Sequence, residues 1–540
     1  MSLAESSFEA ATRSPERSQA RCLARLLAGA RDTAFAREHH LDPGTTVQEF
    51  RRRVPARDYE ALRPYFERVL AGEGRVLTRE PARRFVSTSG TTAAPKLLPV
   101  TRTFRGELAR LGAIWLERAL HDHPRLLDAS ILALVGADRE GATARGAPIG
   151  CASGLACRDA PRFLRERFAV PARLHALADD DARYRLVARI AATRRISCIA
   201  TPNPTTLLRL AETIAEEADA ILRSPARRPH ARDLERKIAA DGTLLPRHLW
   251  PELRLIGCWL GGSVGLHAKR LAPLYGTGVP IRDLGYRASE GTFTIPWSDA
   301  TAAGVPALES TFFEFAPEAS EDLAEAPTRL VHELVDGGRY RVLVTTSAGL
   351  WRYDLGDLVE VRGFRRRAPL LAFLRKGDDF SSICGEKLHV NHVVAACSAA
   401  QRERPLPVRQ LRLIPDVGRA RYDVLIELDG ATPADERLRD WAARLDAALA
   451  RDDVEYASRR RSRRLHAPAL HVMASGWSRE VQREDVRHGR RDAQYKWRLL
   501  AAQWDRTSTR RVLRSLAPDA PDVPQRILPI QGRKRPTRCA

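Results

Sequence analysis

Hydrophobic residues first recur at helical spacing. Across residues 8–38 apolar positions such as Leu23, Leu26, Leu27 and Ala30 alternate with Arg and Glu, and the pattern returns from Tyr59 to Leu70. Stripes of that period predict a helical N-terminal cap. The pattern then changes to short β-like runs: Ser130 to Gly136, Ile196 to Thr201, Leu253 to Leu260, Pro280 to Tyr286, Arg329 to Leu334 and Tyr340 to Thr345. Helical stretches such as Asn203 to Ala218 and Val264 to Tyr275 lie between them. Strands alternating with helices predict an α/β architecture with a largely parallel sheet.

From Leu374 to Leu388 the chain is polar and turn-rich, LRKGDDFSSICGEKL. After it the pattern restarts, with a helix expected over Val390 to Arg402 and a strand near Asp423 to Leu428. The expected organisation is a large N-terminal domain over 1–375, a connection over 376–388 and a small C-terminal domain over 389–516. Residues 517–540, rich in Pro and basic residues and without periodicity, are expected to be disordered.

A chain of 540 residues can bury a large core without disulfides or metals. Its 89 basic and 67 acidic residues leave a net charge of +22, which raises nucleic acid as a partner. The distribution argues against it. Only seven of the basic residues are Lys, at 96, 237, 269, 376, 387, 496 and 534, and the Arg residues are spread through every region with few aromatics beside them. A nucleic-acid footprint clusters on one face and brings stacking aromatics, so no specific nucleic-acid partner is expected. The run Arg459 to Arg464 reads as a solvated loop or helix face.

Eight Cys show no C-x-x-C pair and no neighbouring His, so reduced packing cysteines are expected rather than a zinc site. The N-terminus lacks an apolar signal core, and no apolar run approaches ~18 residues. A cytoplasmic protein without membrane association, monomeric or weakly oligomeric, is the expectation.

Three segments carry candidate chemistry. Phe85 to Val100, FVSTSGTTAAPKLLPV, starts as a strand and passes through Ser87, Thr88, Ser89, Gly90, Thr91 and Thr92 before Pro95 and Lys96. Hydroxyls and backbone N–H groups in a turn, with a mobile ammonium beside them, suit a polyphosphate. The spacing is not that of a Walker loop, and a Ser/Thr-rich surface turn is the plainer explanation of such a cluster seen alone. Asp283 to Gly291, DLGYRASEG, follows a strand, where ligands collect in open α/β sheets. There Glu290 suits Mg²⁺, which takes one or two carboxylates plus substrate phosphates, and Tyr286 suits a base or substrate ring. A strand-end turn capped by Ser289 is the alternative. In Trp351 to Val359, WRYDLGDLV, Gly356 is read as a turn that aims Asp357 out of a strand end, where a carboxylate suits the vicinal hydroxyls of a ribose. A G-D turn between strands would look the same. Lys96, Lys376, Lys387 and Lys496 all fall in singled-out segments of a chain that otherwise uses Arg.

In order, these segments resemble the adenylate-forming enzyme superfamily. Its phosphate loop, [ST]-S-G-[ST]-T-G-x-P-K, is similar to Thr88 to Lys96, T-S-G-T-T-A-A-P-K, with Ala93 where Gly is usual. Its Y-G-x-[ST]-E motif is similar to Tyr286 to Glu290, with Arg287 in the Gly position, and its ribose-holding aspartate to Asp357. Its hinge is similar to Leu374 to Leu388 when Lys376, Asp378, Asp379, Gly385 and Lys387 are matched. Within the superfamily the chain resembles the auxin-responsive acyl acid amido synthetases, on VPARDYEALRPYFERVLAGE, KLLPVT, the Y-x-x-S-E form, FFEF at Phe312 to Phe315, and DAQYKW.

That resemblance implies a large N-terminal domain of α/β subdomains with a small β-barrel, and a small mobile α+β C-terminal domain hinged at Lys376 and Asp378. It implies ATP and Mg²⁺, with a carboxylic acid activated as its adenylate and passed to an amino acid or other amine. Ser89, Gly90, Thr91, Thr92 and Lys96 would then contact phosphates, Glu290 hold Mg²⁺, and Tyr286, Ser289, Tyr353 and Asp357 hold the nucleotide. Lys496 resembles the C-terminal lysine that enters the active site, although its usual P-K-x-x-x-G-K frame is missing. Two other readings stay open. An acyl-CoA ligase would use the same adenylate with a thiol acceptor. A basic binding protein that has lost catalysis would account for Ala93 and Arg287.

Overall fold

The computed structural model describes residues 3–87, 96–177, 179–226, 230–262, 265–318, 320, 323, 326–376, 380–384, 386, 388–462, 464–488 and 495–516. The expected disordered tail, the hydroxyl-rich loop before Lys96, and Asp378 lie outside them. The described residues group into two units. The first comprises those within 1–380, 389–394 and 478–499, and the second those within 381–388, 395–477 and 500–516.

In the first unit the N-terminal cap is helical, as its periodicity predicts: Leu3–Ala11, Pro15–Ala30, Ala34–Glu38, Val47–Arg53 and Tyr59–Leu70. Local chemistry sets their starts. Thr46 and Glu49 form a capping box at Val47–Arg53, and Asp58 accepts from the Ala61 N–H at the head of Tyr59–Leu70. Pro15–Ala30 buries Cys22, Leu23, Leu26, Leu27 and Ala30 on one face. From the same helix, buried Gln19 donates through Nε2 to the Leu308 and Thr311 carbonyls and accepts from the Phe313 N–H. These bonds satisfy the outer edge of the strand Thr311–Pro317, which would otherwise expose unpaired backbone groups.

The first unit also contains a four-stranded parallel sheet in the order Ser130–Ala133, Ile196–Ala200, Leu255–Gly257, Ile281–Arg282. The helices Asp180–Ala192 and Pro204–Glu216 flank it and share its core. A smaller mixed sheet pairs Arg84–Ser87 with Leu97–Val100 antiparallel, with Ser87 opposite Leu97.

The largest sheet is antiparallel, which the strand-and-helix alternation did not anticipate. Its order is Thr294–Pro296, Gly304–Pro306, Ala368–Lys376, Tyr353–Arg365, Arg339–Thr346, Thr311–Pro317. The physical reason is connection length. Two residues, Arg366 and Arg367, join Tyr353–Arg365 to Ala368–Lys376, far too few for the crossover a parallel pair needs. Arg366 makes that turn at φ 54°. The sheet is open, with Thr294–Pro296 and Thr311–Pro317 at its two edges.

Two further expectations differ. Arg329 to Leu334 is not a strand. Arg329 exchanges one pair of backbone bonds with Phe315, after which Glu333 accepts from the Leu330 N–H and winds Val331–Glu333 into a 3-10 turn. Val264 to Tyr275 is not one helix but Gly265–Ala268 and Ala272–Tyr275, the second opening with Pro273 at a position where its missing N–H costs nothing.

The second unit packs the helices Asp435–Asp452 and Val454–Arg461 with a sheet ordered Val408–Asp416, Arg421–Leu428, Ala469–Met473, Val512–Leu516. The arginine run is not simply solvated. Arg460 pairs with Asp446 at 2.6 Å, and Arg459 Nε donates to the Cys384 carbonyl at 3.0 Å. All described cysteines are free thiols, and burial pushes those of Cys22 and Cys198 up to about 12. Among the described residues no helix is long and apolar enough to cross a membrane.

Candidate active site

The site begins where the parallel sheet ends. After Ile281–Arg282 the chain must turn tightly, and Gly285 does so at φ 91°, where a Cβ would lie 2.1 Å from the Thr294 carbonyl oxygen. The Gly285 N–H donates to Asp283 Oδ1 at 2.6 Å and the Tyr286 N–H to Thr294 Oγ1 at 2.9 Å, which fixes the exit direction. A hairpin of Arg287–Ala288 and Gly291–Thr292 follows, with Ser289 and Glu290 at its two-residue turn.

Asp357 comes from the antiparallel sheet. Gly356 does not join two strands; it lies inside Tyr353–Arg365 at φ 64°, its N–H donating to Asp354 Oδ1 at 2.8 Å. Opposite it the register with Arg339–Thr346 slips, because Leu343 faces Asp354 while Arg341 faces Leu358. The extra residues form a bulge, and such bulges re-aim side chains. Asp357 is buried at 3% exposure.

Three residues meet there. Tyr286 Oη donates to Asp357 Oδ2 at 2.6 Å. Lys376, directly opposite Asp357 in the sheet register, brings Nζ to 2.9 Å from Asp357 Oδ1 and donates to the Leu355 carbonyl at 3.1 Å. Lys376 thus partners Asp357, which its assignment to the connecting segment did not foresee. Register across an antiparallel pair is the signal that would have found it.

Electrostatics tie in Glu290 and Lys96. Burial and the charge of Asp357 push the Glu290 carboxyl above its ordinary value, while Lys376 and Lys96 pull it down. A half-buried carboxylate beside a second carboxylate suits a cation, and two ammonium groups nearby suit phosphate oxygens. Lys96 Nζ lies 5.2 Å from the centre of the Tyr59 ring, whose hydroxyl accepts from the Leu97 N–H. Among the described residues no group of three or more His, Cys, Asp or Glu could hold a metal. Glu290 offers one carboxylate of the kind Mg²⁺ takes together with substrate phosphates.

Aromatic packing brings Lys496 to the same place. The Tyr286 ring stacks on Phe373 at 5.5 Å between centroids. Lys496 Nζ lies 5.8 Å from the Phe373 centroid and 5.1 Å from that of Trp259. Neither aromatic residue was singled out from the sequence, where single aromatics carry no signal. Tyr353 is buried in the core with Tyr286, and burial pushes its phenol far above the ordinary range. Ser289 is half-buried at the hairpin turn. Ser89, Gly90, Thr91 and Thr92 lie outside the described residues.

Two further charged residues of DLGYRASEG are shifted by burial. Burial raises the Asp283 carboxyl to about 6, against the pull of the Leu260 and Gly285 N–H groups at 2.5 and 2.6 Å. Burial lowers the Arg287 guanidinium to about 10, with Asp283 opposing.

The FFEF segment receives a structural explanation. Phe312, Phe313 and Phe315 are core residues, and Glu314 accepts from Arg352 Nε at 2.8 Å and Nη2 at 3.0 Å. Arg352 also donates to the Arg51 and Val54 carbonyls. The motif therefore locks the sheet to the N-terminal cap, upstream of Asp357.

Known proteins share this fold. The fold is that of an acyl acid amido synthetase of solved structure, GH3.15, with a TM-score of 0.81, 18% identity, and coverage of 96% of this chain and 97% of that one. It is also found in a 2-hydroxyisobutyryl-CoA ligase in the postadenylation state, at a TM-score of 0.57 and 15% identity over 91% and 90% of the two chains. In sequence, the N-terminal, central and C-terminal domains of the GH3 family match residues 4–224, 304–376 and 389–503. The chain belongs to the GH3 family. A relative from Oryza sativa subsp. japonica, described as a probable indole-3-acetic acid-amido synthetase, is 26% identical over 91% of this chain and 92% of its own length. A jasmonoyl-L-amino acid synthetase from Nicotiana attenuata is 29% identical over 46% and 44%.

Proposed function

We propose that the chain is an ATP-dependent acyl acid amido synthetase that joins a carboxylic acid to an amino acid or other amine. In the first step a carboxylate oxygen attacks the α-phosphorus of ATP, pyrophosphate leaves, and an acyl adenylate forms. In the second an amine nitrogen attacks the acyl carbon, AMP leaves with the electron pair of the broken C–O bond, and the nitrogen loses a proton. A free carboxylate is a poor electrophile at neutral pH, and AMP makes it a good one.

The observation that carries this reading is the cluster of Tyr286, Asp357 and Lys376, with Glu290 and Lys96 in electrostatic reach. Asp357 would hold the ribose hydroxyls. Lys96, with Ser89, Gly90, Thr91 and Thr92, would hold the phosphates and stabilise the charge that develops as pyrophosphate leaves. Glu290 would hold Mg²⁺, which neutralises phosphate charge when bound. Lys496 would contribute a second cation, and Lys376 and Asp378 would begin the hinge between the two steps. The membership in a family whose relatives are amido synthetases favours an amine over a thiol as acceptor.

The test is mass spectrometry of the purified chain with ATP, Mg²⁺, a pool of aryl and aliphatic acids, the twenty amino acids and CoA. An acyl-amino acid appearing with AMP is the expected product. An acyl-CoA in its place would overturn the amide reading and retain the adenylate.

A further inference from the structure

The segment that carries Lys496 is held on the first unit by contacts that begin at a single turn. The described residues of 478–499 fold with that unit, although the described stretches on either side of them fold with the second. Pro202 and Asn203 follow the C-terminal end of the strand Ile196–Ala200, the edge of an open parallel sheet where ligands collect. The Pro202 carbonyl accepts from the Trp259 N–H at 3.0 Å. Asn203, buried at 1% exposure, donates through Nδ2 to the Tyr495 carbonyl, while its Oδ1 accepts from the Thr205 N–H at 3.0 Å and caps Pro204–Glu216. One turn therefore sets both Trp259, whose ring lies under Lys496 Nζ, and Tyr495, the residue before that lysine.

The rest of the segment is tied down nearby. Tyr495 Oη donates to Asp485 Oδ2 at 2.7 Å. Arg479 and Arg483, on one face of the helix Trp477–Arg487, pair with Glu212 and Glu216 and with Asp181, the last at 2.6 Å. Those arginine pairs are partly exposed and so are weak and screened by salt. The bond from Asn203 is buried and acts on the backbone beside the lysine, so it has the stronger hold on where Nζ lies.

We infer that Asn203 is a positioning residue for Lys496, holding the ammonium over Trp259 and Phe373 beside Tyr286; this rests on the adenylation role proposed above for that lysine. The side chain's two ends separate this role from a structural one. Asn203→Asp keeps an oxygen to cap Pro204–Glu216, since Asp caps as well as Asn, but removes the donor to Tyr495.

The test uses the full chain and two readouts. In hydrogen–deuterium exchange, Asn203→Asp is expected to speed exchange across residues 495–499 by about tenfold and leave 204–216 unchanged. In ATP–pyrophosphate exchange with an accepted acid, it is expected to slow adenylation by about tenfold to a hundredfold, the cost of misplacing a reacting group by about an ångström. Added to Lys496→Ala it should cost nothing more, because both substitutions remove one interaction. Unchanged deuterium exchange at 495–499, or losses that multiply in the double variant, would overturn the inference. A wild-type chain with no pyrophosphate exchange for any acid would overturn the functional reading alone, and the deuterium comparison would still decide whether Asn203 places Lys496.

Discussion

Tyr286 Oη and Asp357 Oδ2 lie 2.6 Å apart, a buried bond between residues 71 apart in sequence that joins the end of the parallel sheet to the bulge of the antiparallel one. A neutral donor to a buried carboxylate contributes about 1.5–3 kcal/mol. Tyr286→Phe keeps the ring stacked on Phe373 and removes only that donor. We expect it to destabilise the chain by about that amount in urea denaturation and to raise KM for ATP, because among the described residues Lys376 is then the remaining partner of the carboxylate. A variant with unchanged midpoint and KM would show that the bond orders nothing.

Asp357 and Lys96 are proposed to position ATP and to offset phosphate charge. Asp357→Ala and Lys96→Ala should each slow AMP formation by about tenfold to thousandfold, the range seen when one preorganised electrostatic group is lost. AMP release followed at saturating and limiting ATP separates the two. Wild-type turnover in either variant would refute its assignment.

The Glu314–Arg352 pair is buried at both ends, at 1% and 6% side-chain exposure, so solvent screening does little to weaken it. Removing one partner leaves a buried charge unpaired, which typically costs about 3–5 kcal/mol. Glu314→Gln should lose stability on that scale in chemical denaturation. Arg352 sits at φ 44°, a conformation unfavourable for a side-chain-bearing residue, so its lost anchor should also loosen the chain leading to Asp357. A loss below about 1 kcal/mol would mean that the two charges are not paired in solution.

Asp283 makes stability depend on pH in a stated direction. Its carboxyl is raised from the ordinary 3.8 to about 6 by burial, so the folded state binds a proton that the unfolded state has released. Its contribution is therefore full below pH 3.8 and is lost as pH rises through about 6. Asp283→Asn cannot titrate. The difference in unfolding free energy between wild type and variant should slope between pH 4 and 6 and be flat from 7 to 8; a flat difference throughout would show that Asp283 is ionised in both states.

The helical cap was legible because its signal is local: Leu23, Leu26, Leu27 and Ala30 repeat at the helix period, and Tyr59–Leu70 is bounded by its capping Asp58. The parallel strands were legible as apolar runs between helical stretches, although each proved shorter than its run. The segments around Lys96, Glu290 and Asp357 stood out because hydroxyls, glycines and rare lysines cluster within a few residues of one another.

Only the tertiary structure decided which of these groups meet. Lys376 reaches Asp357 through strand register, Arg352 reaches Glu314 across the intervening strand Arg339–Thr346, and Lys496 reaches Trp259 and Phe373 through a segment tied to Asn203. Such pairs depend on backbone bonds and packed surfaces formed far away in sequence. Their partners leave no periodic or compositional mark beside the residue itself, whereas helix stripes, caps and motif loops are written within one or two turns of chain.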